Sequence, residues 1–137
     1  MTSIDFYLLS DAGADAVDRI ACRLTEKAYR LGHRVFLFTG DQQRAEQLDQ
    51  LLWTFSQGSF VPHEIAGSDA PVCIGYQEPP EEFADVLVNL TGEVPGFFSR
   101  FDRVAELVGA TEKAKQDGRD RYRYYRDRGY ALDTHNL

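Results

Sequence analysis

Val35-Phe36-Leu37-Phe38 is an unbroken apolar run of strand length, preceded by Gly32-His33-Arg34 and stopped by Thr39-Gly40. A strand that is apolar at every position has no face to offer water, so it belongs inside a sheet covered on both sides. The neighbouring segments supply the cover. Upstream, Ala16, Val17, Ile20, Ala21, Leu24, Ala28 and Leu31 recur at helical spacing. They predict a helix from about Asp15 to Leu31. Gly32 stands where a left-handed cap ends such a helix. Downstream, Asp41 is placed to cap a second helix through Leu52, with Ala45, Leu48, Leu51 and Leu52 on one face.

The same alternation extends over the chain. Ile4–Leu9, Val72–Tyr76 and Asp85–Leu90 read as strands, and Phe60-Val61 as a short one that Pro62 ends. Phe97, Phe98, Phe101, Val104, Ala105 and Val108 have helical spacing and predict a helix. A last helix runs from about Thr111, its expected N-cap, to Arg128, and Gly129 ends it. Strands alternating with helices indicate an α/β domain with a mostly parallel sheet. A chain of 137 residues fits one such domain, expected to span 1–137, without metal or disulfide staples. Cys22 and Cys73 lie in apolar patterns and read as buried free thiols, which suits a reducing cytoplasm. No apolar run is long enough to span a bilayer, and no basic-then-apolar leader opens the chain. The expected location is cytoplasmic, with no membrane partner.

The chemistry of an enzyme is hard to find. The turn after the first strand, Ser10-Asp11-Ala12-Gly13, has one glycine where a dinucleotide fingerprint has three. No Gly-rich loop ends in Gly-Lys-Ser or Gly-Lys-Thr. Asp41 follows the second strand as a ribose-binding acid does, but without a phosphate loop helix capping is the better reading. His33, His63 and His135 are not spaced as metal ligands. His63, in a loop after Pro62, is the one candidate catalytic histidine, and no nucleophile elbow accompanies it. Asp11, Asp15 and Asp18 stand at a helix N-terminus, where the dipole accounts for them without a metal. No catalytic residue, cofactor or metal site is expected.

Recognition is easier to read. The chain has a net charge of −7, yet residues 112–128 hold seven Lys or Arg against four Asp or Glu. An acidic body disfavours non-specific nucleic-acid binding. On the last helix Lys115, Arg119, Arg123 and Arg126 form a stripe bordered by Tyr122. Two readings fit it: a solvated helix neutralised by Asp117, Asp120 and Asp127, or a surface for a peptide carboxylate or phosphate. In the second, Val108 adjoins as an apolar pocket. A separate cluster, Trp53 and Phe55 with Phe60-Val61-Pro62-His63, is either core or an aromatic interface.

The combination of Phe6-Tyr7-Leu8-Leu9, Ser59-Phe60-Val61-Pro62-His63 with Ala66-Gly67, and Arg119-Asp120-Arg121-Tyr122-Arg123-Tyr124-Tyr125-Arg126 with Gly129 resembles the chi subunit of bacterial DNA polymerase III. That resemblance covers nearly the whole chain. It implies a single-domain Rossmann-like three-layer α/β fold lacking a nucleotide-binding loop. It also implies a non-catalytic adaptor of the clamp-loader assembly in DNA replication. Two partners follow: a psi subunit, and the acidic C-terminal tail of single-strand-binding protein, with DNA reached only indirectly. By resemblance the tail site falls on Val108, Lys115, Arg119, Tyr122 and Arg123, and the psi contact on Trp53, Phe60, Val61 and Pro62. Asp117, an acid inside the basic stripe, departs from the family's pattern and is expected either to weaken the tail site or to point away from it. The rival readings are a degenerate nucleotide-binding enzyme or hydrolase using His63, and a direct single-stranded nucleic-acid binder using the C-terminal arginines.

Overall fold

The chain runs β1 (Ser3–Leu8), α1 (Ala16–Arg30), β2 (Val35–Phe38), α2 (Gln42–Thr54), β3 (His63–Ile65), β4 (Val72–Gly75), β5 (Val86–Asn89), a 3-10 turn (Phe98–Arg100), β6 (Arg103–Val108), α3 (Glu112–Asp127) and β7 (Ala131–Asn136). The structure, a computed structural model, describes residues 1–55, 60–67 and 69–137. The strands form one sheet in the order β3-β4-β2-β5-β6-β1-β7. Every pairing among the described residues is parallel. No described helix is long and apolar enough to cross a membrane.

β2 lies inside the sheet, as its uniform apolarity requires. Val35 and Leu37 face the α1/α2 layer with Ala21, Cys22, Ala45, Leu48 and Leu52. Phe36 faces the other way, into a second core that includes Phe83, Phe101, Val104 and, from α3, Tyr125. The two faces give three layers. The helix boundaries follow their signals. Gly32 and Gly129 take φ of 90° and 79° after α1 and α3, a region that costs other residues strain. Asp41 accepts from the Gln43 amide, and Thr111 accepts from the Ala114 amide.

Two local expectations are corrected, and one strand is added. The helix expected over Phe97–Val108 is a single 3-10 turn followed by β6. β6 sits between β1 and β5 and is covered on both faces. Its dense apolar pattern therefore fits a helical period by coincidence. The short strand expected at Phe60-Val61 instead lies after Pro62, as β3. Proline cannot donate to a ladder, and pairing begins once it is passed. β7 was not anticipated at all: Ala-Leu-Asp-Thr-His-Asn has almost no apolar alternation because it is an exposed edge. Ser59, in the block that carries the resemblance, lies outside the described residues.

Candidate protein-binding groove

The seating of α3 on the sheet is set by a buried carboxylate. Glu106 of β6 is fully buried. Its oxygens accept from Arg121 Nε at 2.9 Å, from the Tyr125 hydroxyl at 2.6 Å and from Asn89 Nδ2 at 2.9 and 3.0 Å. Burial pushes this carboxyl up from its ordinary range, while Arg121 and the hydrogen-bond donors oppose the rise. Arg121 also donates to the Leu107 and Gly92 carbonyls. Arg121 and Tyr125 are one turn apart and define the inward face of α3. Gly118, one turn earlier, lets the helix close onto Val108.

That docking leaves a groove of about 340 Å³ between α3 and the strands β1 and β7. Phe6, Leu8, Leu9 and Val108 give it apolar walls, with Gly109, Gly118 and Thr134 completing them. Lys115, Arg119 and Tyr122 line it from the helix. The Tyr122 ring packs on Phe6 edge to face, at 5.3 Å. No carboxylate is among these lining residues. The cations are lightly engaged: Lys115 Nζ is 3.9 Å from Glu112, and Arg119 donates to Gln116 Oε1 at 3.3 Å. The structure thus brings Val108, Lys115, Arg119 and Tyr122 together. Arg123 is outside the lining, solvent-exposed and 3.6 Å from Asp120.

Asp117 is not among the residues lining the groove, which agrees with the alternative in which it points away from the site. It pairs with Lys113 at 3.3 Å and packs against Gly92 on the other side of α3. A helical wheel places residues 115 and 117 about 200° apart.

The aromatic cluster lies near the β3 edge. Trp53 and Phe60 are 46% and 66% exposed, with ring centroids 5.5 Å apart. Pro62 is half-buried, whereas Val61 is 1% exposed and packs in the α1/α2 core. Val61 therefore anchors the segment and presents no side chain outward. The His63 ring is buried under Trp53, at 4.4 Å. Its Nδ1 lies 2.6 Å from the Val61 carbonyl oxygen, and its Nε2 lies 3.1 Å from that of Asp49. Both ring nitrogens face backbone carbonyl oxygens and the side chain has no exposed surface, so the ring is placed as a packing residue beneath Trp53.

The crevice at the C-terminal ends of the strands, where open α/β sheets hold ligands, also has its cations committed. Arg44 donates to the Leu90 carbonyl and to Asp18, and Arg121 is held by Glu106. Asp11 accepts from Gly13, and Asp15 pairs with Arg19. Among the described residues no group of three or more His, Cys, Asp or Glu is disposed to hold a metal.

The chain is thus a parallel, three-layer α/β domain of Rossmann-like architecture, with an engaged crevice and apolar side chains offered on two separate surfaces. Residues 1–133 match the family model described as DNA polymerase III chi subunit, HolC. The chain is 45% identical to the DNA polymerase III subunit chi of Pseudomonas aeruginosa, over 100% of this chain and 98% of the relative. It is 34% identical to that of Escherichia coli, over 98% and 97%. It is 29% identical to that of Haemophilus influenzae, over 96% and 95%. The chain belongs to the DNA polymerase III chi subunit family, a non-catalytic accessory subunit of that polymerase.

Proposed function

We propose that the chain joins the clamp loader to single-stranded DNA through protein contacts alone. In this reading the groove beside α3 receives the acidic C-terminal tail of single-strand-binding protein, and the Trp53–Phe60 surface receives a psi-like subunit. One observation carries the tail assignment: Lys115 and Arg119 stand over apolar walls that contain no carboxylate. A tail ending in Phe offers a free carboxylate and a ring. Arg119 pairs the carboxylate as a fork, and Lys115 adds a second charge one turn earlier. The ring enters between Val108 and Phe6, and burying it contributes about 1.5–3 kcal/mol. Arg123 and Arg126, farther out, steer acidic residues and raise the association rate.

Direct nucleic-acid binding is the weaker alternative. Of the α3 arginines, Arg121 is buried on Glu106, while Arg123 and Arg126 stand beside Asp120 and Asp127. Calorimetry separates the two. The tail reading expects saturable binding of a Phe-terminated acidic peptide, and none of a peptide lacking that Phe. Tight, steeply salt-dependent binding of bare oligonucleotide with no peptide binding would contradict it.

A further inference from the structure

The wall of the groove opposite α3 is an open strand. β7 pairs with β1 alone and ends the sheet. It carries neither Pro nor Lys, two of the residues that commonly block an edge. Which main-chain groups it leaves free follows from its last bonds. Leu137 donates its N–H to the Leu8 carbonyl at 2.9 Å, and its own carbonyl accepts from Ser10 Oγ at 2.9 Å. Both groups of residue 137 therefore turn toward β1. In a parallel strand successive residues turn their N–H and C=O to opposite sides. Those of Leu132, Thr134 and Asn136 consequently turn outward, away from β1. Thr134 lines the groove, and Leu132 packs with the core beneath α3.

The charges run alongside this edge. Lys115, Arg119, Tyr122 and Arg126 share one side of α3. From Lys115 to Arg126 the helix rises about 16 Å, the reach of about five extended residues. An acidic peptide whose carboxylate sits at Lys115 and Arg119 has its C-terminus at the C-terminal end of β7. Its upstream residues then run beside the strand in the same direction, with Arg126 at the far end.

Resting on the tail reading of the groove, we infer that the bound tail adds to β7 as an eighth, parallel strand. Its main chain pairs with Leu132, Thr134 and Asn136, and its acidic side chains on the α3 side meet the arginines. The main-chain bonds supply affinity without sequence selectivity, and the carboxylate and ring supply the specificity.

The test uses the full chain and an acidic, Phe-terminated peptide, N-methylated at one backbone position at a time. Methylation at alternate upstream positions should weaken binding tenfold or more, and methylation at the positions between should change it less than threefold. Hydrogen exchange of the Leu132, Thr134 and Asn136 amides should slow on binding, with those of Asp133 and His135 little changed. Thr134→Pro removes one outward N–H at an edge, where Pro is tolerated, and should weaken the peptide without lowering Tm appreciably. If the unmodified peptide binds and depends on Arg119, but no methylation matters and no outer amide is protected, strand addition is wrong and the tail reading stands. If the unmodified peptide does not bind, both fail.

Discussion

Gly118 and Val108 meet so closely that a Cβ on residue 118 would lie 2.8 Å from both Val108 methyl carbons. Val108 is buried and β-branched, so it cannot swing aside cheaply. Gly118→Ala gains about 1 kcal/mol of helix propensity, whereas overpacking costs about 1–3 kcal/mol. The net expectation is destabilisation of up to about 2 kcal/mol, read from the urea midpoint. Because Val108 and Gly118 both line the groove, peptide affinity should fall as well. A variant more stable than the wild type would mean that α3 is free to lift.

Glu106→Ala should be among the most damaging single changes. It strands the Arg121 guanidinium and the Tyr125 hydroxyl in the core. Breaking a buried pair typically costs about 3–5 kcal/mol. Replacing Glu106 with Leu and Arg121 with Met together should cost clearly less than Glu106→Ala alone. Denaturant unfolding of both variants checks this; equal losses would indicate that the pair is not coupled.

Neither cysteine should react in the folded protein. Burial pushes the Cys22 thiol up to about 12, and burial also raises Cys73. At pH 8 only on the order of one Cys22 in ten thousand is the reactive thiolate. Ellman's reagent should find no thiol until guanidinium is added, and then two. A raised pKa also fixes the sign of the linkage. The Cys22 contribution is full below the ordinary thiol range and is lost as pH rises toward 12.

Trp53 and Val61 should separate by phenotype although both belong to the aromatic segment. Trp53→Ala removes a half-exposed ring that also covers His63, and should cost less stability than Val61→Ala while specifically weakening capture of a psi-like partner. Val61→Ala removes core contacts and should cost about 1.5–3 kcal/mol without a specific binding loss. A Trp53 variant that unfolds would return that ring to the core.

Legibility in the sequence followed burial. Val35–Phe38 was readable because a strand covered on both faces is apolar throughout, α1 and α2 because each keeps one apolar face, and α3 because Thr111 and Gly129 mark its ends although its buried face carries Arg121. β6 was misread for the same reason that β2 was not: Val104, Ala105 and Val108 fit two periods at once. β7 left no trace because an edge strand needs no hydrophobic alternation. In the groove, Lys115, Arg119 and Tyr122 were visible as one helical stripe. Phe6, Leu8 and Thr134 were not, since only the parallel pairing of β1 with β7 brings them opposite the helix. Sequence left two alternatives open for Asp117, and helix geometry decides between them, since residues 115 and 117 are separated by more than half a turn.

The central claim is the groove beside α3, and fluorescence anisotropy with a labelled, Phe-terminated acidic peptide tests it most directly. Arg119 lines the groove, whereas Arg128 lies over the Tyr124 ring at 3.5 Å and donates to the Tyr124 carbonyl, turned away from it. Truncating a partly desolvated charge partner costs about 2–5 kcal/mol, and tenfold in affinity is about 1.4 kcal/mol. Arg119→Ala should therefore weaken the peptide at least tenfold, and Arg128→Ala less than threefold. Affinity that survives Arg119→Ala and is abolished by Arg128→Ala would place the site on the other side of the helix and contradict the account.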